Sequence, residues 1–479
     1  MSPIRLREFS SPTIKALVIG YKGLTTTPAA EEILKIVKER EIKLVKFVWL
    51  GNDLIPRAMA THSDFLEDCM KAGIGITRGM QSFNALDLLV SNGRFGPESS
   101  EFRIMPDLDT FACLPYAPKS ARFIGELWEP DLKPSNVDAR YYLRRIVEEA
   151  KKMNFTPMAS CEIEFYILRR DGDRVLPYVS EKFGTSHGYD LINDYIQECT
   201  DYLFQMGVRL ERLKKEYGHS QVEPTLRYTD ALKAADDAVT LRDVVKAVAA
   251  KHGLFVTMMP RPFPGMAGSG NHLHMSLFDI KGERNVLYDK NDARKCYLSE
   301  TGYHFVGGLM KHMKAITVFG APISNSYKRL LPGSWSPAHV SYGYDNRAVA
   351  VRIPSLLPPK DGQGERLEYR VPDPSANPYL ALGTALAAGL EGIRNKTDPG
   401  DPLALDPAKL NDTELDKLGI EYLPRTLGEA IAEAERDPFV KQSLGEPLYE
   451  EYIKVRESEW KAYREQVTEW EIANYLTTF

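Results

Sequence analysis

From about Ala29 onward, apolar residues fall at Ile33, Leu34, Ile36, Val37 and Ile42, a near-helical spacing, and the run Leu44-Val-Lys-Phe-Val-Trp-Leu50 behind them reads as a strand. A small α/β unit therefore opens the chain. Residues 51–115 continue with a helix around Ser63–Ala72 and with short segments broken by Gly73, Gly75, Gly93 and Gly96, ending at the turn-rich Met105-Pro-Asp-Leu-Asp109. Pro115, Pro118, Pro130 and Pro134 then cluster and place a domain boundary near 115–130. Beyond it the periodicity predicts a helix near Asp138–Met153, a strand over Ala159–Leu168, and helices near Tyr189–Met206 and Leu241–His252. Several strand-like runs follow, then an Ala-rich helix over Asn377–Asn395 whose apolar character marks it as buried. Charged, amphipathic periodicity from Arg425 to Tyr475 predicts a helical tail.

Three short strands break the apolar rule on one side only. The two-residue side-chain period of Cys161-Glu-Ile-Glu-Phe165 puts Glu162 and Glu164 on one face and Cys161, Ile163 and Phe165 on the other. In Asn271-His-Leu-His-Met-Ser-Leu277 it gathers His272, His274 and Ser276 opposite Leu273, Met275 and Leu277. Arg366-Leu-Glu-Tyr-Arg370 likewise sets Arg366, Glu368 and Arg370 against Leu367 and Tyr369. Taken singly, each is a sheet with a solvated face. Together they describe one cavity, because carboxylates and imidazoles suit Mg²⁺ or Mn²⁺ and neighbouring arginines suit phosphoryl oxygens. The glycine-rich Pro264-Gly-Met-Ala-Gly-Ser-Gly270 before the second strand is either a plain loop or a place where backbone approaches a ligand closely.

Composition narrows the class. A chain of 479 residues exceeds one ordinary core, so two domains are expected. The net charge of −5 gives no reason to expect nucleic acid or an anionic membrane as partner. Five scattered cysteines without a Cys-x-x-Cys pair argue against structural zinc or a redox disulfide and fit a reducing cytoplasm. Neither the first residues, Met1 to Phe9, nor any later stretch has the apolar run of a signal peptide or membrane span. A cytoplasmic protein is expected.

In Cys161-Glu-Ile-Glu-Phe165, Glu216-Tyr-Gly-His-Ser-Gln-Val-Glu223, Gly268-Ser-Gly-Asn-His-Leu-His-Met-Ser-Leu277, Asn325-Ser-Tyr-Lys-Arg-Leu-Leu-Pro-Gly333, Asn346-Arg-Ala-Val-Ala-Val-Arg-Ile-Pro354 and Arg366-Leu-Glu-Tyr-Arg-Val-Pro-Asp-Pro-Ser-Ala-Asn-Pro378, the sequence resembles the glutamine synthetase superfamily over nearly its whole length. The resemblance implies an α+β fold: an N-terminal β-grasp domain, set at residues 1–120, and a catalytic domain at 121–479 with a curved antiparallel sheet and helices. It also implies an ATP-dependent reaction in which the glutamate γ-carboxylate is phosphorylated and an amine displaces phosphate. Two or three Mg²⁺ or Mn²⁺ ions per site, and a homo-oligomer of two stacked hexameric rings with sites shared between subunits, come with it.

Carried over by position, Glu164, Glu216 and Glu223 match the ligands of a metal on the glutamate side, and Glu162, His272 and Glu368 those of a metal between the nucleotide phosphates. His274, Ser276, Arg352 and Arg366 fall at nucleotide-contacting positions, with interstrand salt bridges as the alternative for the two arginines. Arg347 and Arg370 fall where the transferred phosphoryl is held, Arg329 where the substrate α-carboxylate is gripped, and the Gly268 backbone where its amino group is met.

The chain departs from the family in the loop that closes over the ammonium site. Glutamine synthetases usually carry Pro-Gly-Tyr-Glu-Ala-Pro there, whereas this chain has Pro332-Gly-Ser-Trp-Ser-Pro337, so Trp335 replaces the acid. Trp49-Leu-Gly-Asn-Asp53 offers only Asp53 as a counterpart to the family's N-terminal ammonium-binding aspartate. These departures point to a small substituted amine as acceptor, like those of the γ-glutamylamine ligases acting on putrescine, methylamine, ethanolamine or anilines. The alternatives are ammonia as acceptor with Trp335 as a packing residue, and a non-catalytic structural or regulatory member.

Overall fold

The computed structural model describes residues 28–356 and 362–479. The stretch from Met1 to Phe9, on which the expectation about a leader rests, lies outside them. Two sheets organise the rest. The first is built from β1 (Leu44–Leu50), β2 (Pro56–His62), β3 (Ile74–Thr77), β4 (Glu101–Pro106), β5 (Ala112–Cys113) and β6 (Ser120–Trp128), in the order β2-β1-β6-β4-β3 with β5 on β6. Only β1 and β6 run parallel. The strand β6 lies beyond residue 120 yet is hydrogen-bonded within this sheet, its first half to β1 and its second half to β4. Helix Pro28–Glu39 supplies Ala30, Ile33 and Val37 to the same core as Val45, Phe47, Phe102, Ile104 and Phe123.

The second sheet carries the polar strands. It contains β7 (Phe155–Ile163), β8 (Phe165–Asp171), β9 (Arg174–Pro177), β10 (Leu210–Lys215), β11 (Gln221–Leu226), β12 (Thr229–Asp230), β13 (Phe255–Thr257), β14 (Asn271–Asp279), β15 (Tyr342–Tyr344), β16 (Val351–Ile353) and β17 (Leu367–Tyr369). Its main path is β13-β8-β11-β7-β14-β17-β16-β15, and every pair is antiparallel except β15 with β16. Leu273, Met275 and Leu277 are at most 1% exposed, and each contributes about 1.5–3 kcal/mol by burial. That term fixes the register, because a slip of one residue would exchange them for His272, His274 and Ser276. The expected strand Ala159–Leu168 is two strands, interrupted at Glu164, whose N–H donates to the Gly270 carbonyl at 2.9 Å.

Helices Ala139–Lys152, Ala231–Lys251, Glu300–Gly320 and Pro378–Asn395 back this sheet and each other. Three start under side-chain caps from Asp138, Asp230 and Ser299, and the fourth under Asn377 with Pro378 in its first turn. Glu300–Gly320 corrects the sequence reading, which placed only strand-like runs between His252 and Asn377. Its pattern lacks a clear polar face because it is buried on most sides. A Cβ at Gly308 would overlap the Ala388 carbonyl and the Gly392 backbone, so the two glycines let the helices cross in contact.

The tail is four helices, Leu427–Arg436, Pro438–Leu444, Glu446–Arg464 and Glu469–Tyr475. The third ties the two cores together. Arg456, fully buried, donates to the Asn52 carbonyl at 2.6 Å, Glu451 accepts from Ser82 and from Arg94 N–H, and Glu459 accepts from Ala85 N–H at 2.8 Å. No helix among the described residues is long and apolar enough to cross a membrane.

Candidate active site

Strand register assembles the centre of the site. Glu162 on β7 lies opposite His272 on β14, while His274 lies opposite Ser160 on one side and Glu368 on the other, and Glu368 faces Arg352 on β16. Four strands thus bring one row of ionisable groups onto a single face. His272 Nδ1 stands 3.6 Å from Glu162 and 3.4 Å from Glu368, and His274 Nε2 stands 3.3 Å from Glu162. The ligand atoms that converge are those of Glu162, His274 and Glu368 in one group and of Glu162, Glu223 and His272 in another, so His274, expected at the nucleotide, stands with Glu162 and Glu368 where His272 was expected.

Glu164, Glu216 and Glu223 form a second group whose ligand oxygens all lie within 4.8 Å of one another. Glu164 emerges from the break between β7 and β8, Glu216 from the turn after β10, and Glu223 from β11. All three are buried. Carboxylate oxygens at this spacing fit a hard divalent cation, and Glu223 is shared with a further group containing Glu162 and His272.

Burial and mutual repulsion decide the protonation. Burial, then the neighbouring Glu216, raises Glu164 to about 7, and burial with Glu164 and Glu162 raises Glu223 to about 9. A cation would relieve both. Burial, then the Arg370 charge, lowers His272 to about 4, leaving a neutral imidazole suited to ligation. Burial opposes ionisation of Glu368, but Arg370 and the two histidines hold it well below the usual carboxylate range.

The arginines divide into distinct roles. Arg370 donates to Glu368 through Nη1 and to the Trp335 carbonyl through Nη2. Arg352 has Nη1 on Glu368 at 2.7 Å and Nη2 on Asp345 at 2.5 Å, as in the salt-bridge alternative, and stands outside the cavity lined by His274 and Ser276. Arg366 does join that cavity, of about 220 Å³, donating from Nε to His274 Nδ1 at 3.3 Å, and Thr225 and Arg212 also line it. Arg347 is exposed on a turn away from these groups and lines a separate pocket of about 310 Å³ with Trp335, His339, Asp406 and Lys409.

Arg329 is buried, its fork fixed by the Val371 and Arg370 carbonyls at 2.8 and 2.9 Å. Gly268 packs on it so closely that a Cβ there would stand 2.8 Å from Arg329 Cγ. Two residues escaped the sequence reading although both lie in or beside a quoted motif. Gln221, fully buried, donates from Nε2 to Glu164 at 2.9 Å and to the Gly268 carbonyl at 3.0 Å, joining the second carboxylate group to the glycine-rich loop. Lys214 pairs with Glu216 and stands 3.7 Å from Glu223. Its signal was alternation on β10, where Arg212 and Lys214 share a face.

Trp335 is 75% exposed and its backbone lies in the left-handed region at φ 62°, a conformation unfavourable for a bulky residue. Asp53 is buried in the first core's loop and accepts from Arg57 Nε at 2.5 Å, so its carboxylate is already engaged.

Comparison with known proteins agrees with this geometry. The family profile described as glutamine synthetase, catalytic domain, matches residues 136–475, and that of the glutamine synthetase N-terminal domain matches residues 28–135. A glutamine synthetase of Methanosarcina mazei is 35% identical over 470 residues, covering 96% of this chain and 100% of its own. One from Thermotoga maritima is 40% identical over 459 residues, covering 93% and 99%. A solved structure described as a GmaS/ADP complex superposes with a TM-score of 0.82 at 29% identity, covering 94% of this chain and all of that one. Another, described as a novel glutamine synthase homolog, gives 0.79 at 29% identity over 89% and 96%.

Proposed function

Because this chain belongs to the glutamine synthetase family, and is therefore an ATP-dependent ligase that forms carbon–nitrogen bonds from glutamate, we propose that its acceptor is a substituted amine rather than ammonia. The observation that carries this reading is Trp335: an exposed indole occupies the loop position of the family's ammonium-binding acid and lines the 310 Å³ pocket beside Arg347. An indole cannot take a proton from ammonium, but it can cover an alkyl or aryl group and offer a cation–π contact worth about 0.5–2 kcal/mol. The carboxylate lining that pocket, Asp406, already accepts from Ala408 N–H at 3.0 Å.

In this reading the family's divalent metals, Mg²⁺ or Mn²⁺, are held in two or three places by Glu164, Glu216 and Glu223 and by Glu162, His272, His274 and Glu368. When bound they supply charge neutralisation between two anions, the glutamate γ-carboxylate and the ATP phosphates. The chain's own groups do the rest. His274, Ser276 and Arg366 orient the nucleotide, Arg370 beside Glu368 holds the γ-phosphoryl as it passes to a γ-carboxylate oxygen, and Arg329 with the Gly268 backbone grips the amino-acid end. The amine nitrogen then attacks the γ-carbonyl carbon, phosphate leaves with the bonding pair, and the nitrogen loses a proton.

The names of the curated relatives favour ammonia instead. A phosphate-release assay with ATP, Mg²⁺, glutamate and an amine panel including ammonium separates the two readings. At least one substituted amine is expected to exceed ammonium in kcat/KM by about tenfold or more. If ammonium is the best acceptor, the substituted-amine reading is wrong. We propose further that the chain assembles as the two-ring dodecamer, with sites shared between subunits. Trp470, Ile472, Tyr475 and Leu476 support this, since they leave an apolar terminal helix exposed on a single protomer.

A further inference from the structure

We propose that Lys214 is a built-in cation of the Glu164–Glu216–Glu223 cluster, placed where an incoming divalent ion must displace it, and that it thereby sets how weakly this site holds its ion. This rests on the reading that the cluster binds a divalent cation. Register places the lysine: Lys214 on β10 is the direct cross-strand partner of Glu223 on β11. Its ammonium is ion-paired with Glu216 and stands 3.7 Å from Glu223, touching two of the three carboxylates that converge there.

The surroundings decide which partner can yield. All three carboxylates are buried, and Glu164 is further held by Gln221 Nε2 at 2.9 Å. The backbone below Lys214 is pinned as well, because the next residue, Lys215, is fully buried and donates to the Glu216 and Gly218 carbonyls at 2.6 and 2.7 Å. Only the Lys214 side chain, 41% exposed on a four-carbon stem, can swing into water. An ammonium and a divalent ion about 4 Å apart repel strongly at any effective dielectric a protein interior provides. Ion binding therefore breaks the Lys214 contacts, and the measured affinity is lower by that cost.

Mn²⁺ binding to the full-length protein, read from the electron paramagnetic resonance of free Mn²⁺ without nucleotide, tests this independently of activity. Lys214→Met should bind the same number of ions as the wild type, with the cluster's ion held about tenfold or more tighter. Lys214→Arg keeps the charge and should stay within about threefold of wild type. Unchanged or weaker Mn²⁺ affinity in Lys214→Met overturns the inference. Glu223→Gln separates it from the reading beneath it: loss of one bound ion in that variant upholds the cluster as a metal site, whereas an unchanged ion count removes the metal reading itself.

Discussion

Arg370 and Trp335 are in direct contact: the Arg370 Nη2 donates to the Trp335 main-chain carbonyl at 3.5 Å while Nη1 of the same guanidinium holds Glu368. The loop that replaces the family's acidic segment is thus coupled through one arginine to the carboxylate row at the centre of the sheet.

That coupling makes Trp335 a place where acceptor choice and phosphoryl transfer can be separated. Trp335→Ala removes the indole and leaves the carbonyl, so kcat/KM for the preferred amine should fall by about 2- to 30-fold, the loss of a contact worth 0.5–2 kcal/mol. Apparent affinity for ATP should hold. Trp335→Glu should raise the use of ammonium relative to the larger amine. Equal kinetics for both variants and the wild type across the amine panel would reduce Trp335 to a packing residue.

Glu164 and Glu368 should behave differently although each stands in a candidate metal group. Glu164→Gln keeps the volume and leaves buried Arg329 its two carbonyl acceptors and the nearby Asp373 charge, so activity should fall by about 100-fold with a smaller change in the urea midpoint than Glu368→Ala causes. Glu368→Ala removes the one carboxylate shared by two buried arginines, leaving Arg352 only Asp345 and Arg370 only the Trp335 carbonyl, and should cost about 3–5 kcal/mol of stability as well as the activity. Full turnover by either variant at unchanged metal concentration would contradict the ligand assignment.

For Arg329 the expected loss is also double. Arg329→Gln should raise the glutamate half-saturation constant by about one to two orders of magnitude, from loss of a charge-assisted contact of about 1.5–3 kcal/mol. Its two backbone acceptors, Val371 and Arg370, lose donors too, so a lower melting temperature should accompany it. An unaltered glutamate response in folded protein assigns the α-carboxylate to another residue.

The exposed terminal helix gives a prediction about assembly. Leu476→Asp combined with Trp470→Asp places charge on the apolar surface of Glu469–Tyr475 and its flank, where it breaks the edge contact of Trp470 with Tyr475 but opens no buried core. Light scattering should then report particles smaller than those of the wild type. An unchanged mass would move the ring contacts elsewhere.

Sequence alone determined whatever depends on local periodicity. Alternation in β14 separated His272, His274 and Ser276 from the apolar side chains beneath them, the run Leu44–Leu50 is a strand over those same residues, and the Ala-rich run expected over Asn377–Asn395 is a buried helix over Pro378–Asn395. These patterns survive because burying an apolar side chain outweighs every weaker local preference, so the faces can be read before the fold is known. The tertiary structure decided what depends on neighbours distant in the chain. The helix Glu300–Gly320 is absent from the sequence reading, and its Gly308 makes sense only through contact with Ala388 and Gly392 of Pro378–Asn395. Arg352 is ion-paired with Asp345 and Glu368, because β16 lies beside β17 in the sheet. Lys214 entered the carboxylate cluster through the pairing of β10 with β11, and no periodicity within one strand can state which residue a neighbouring strand will place opposite it.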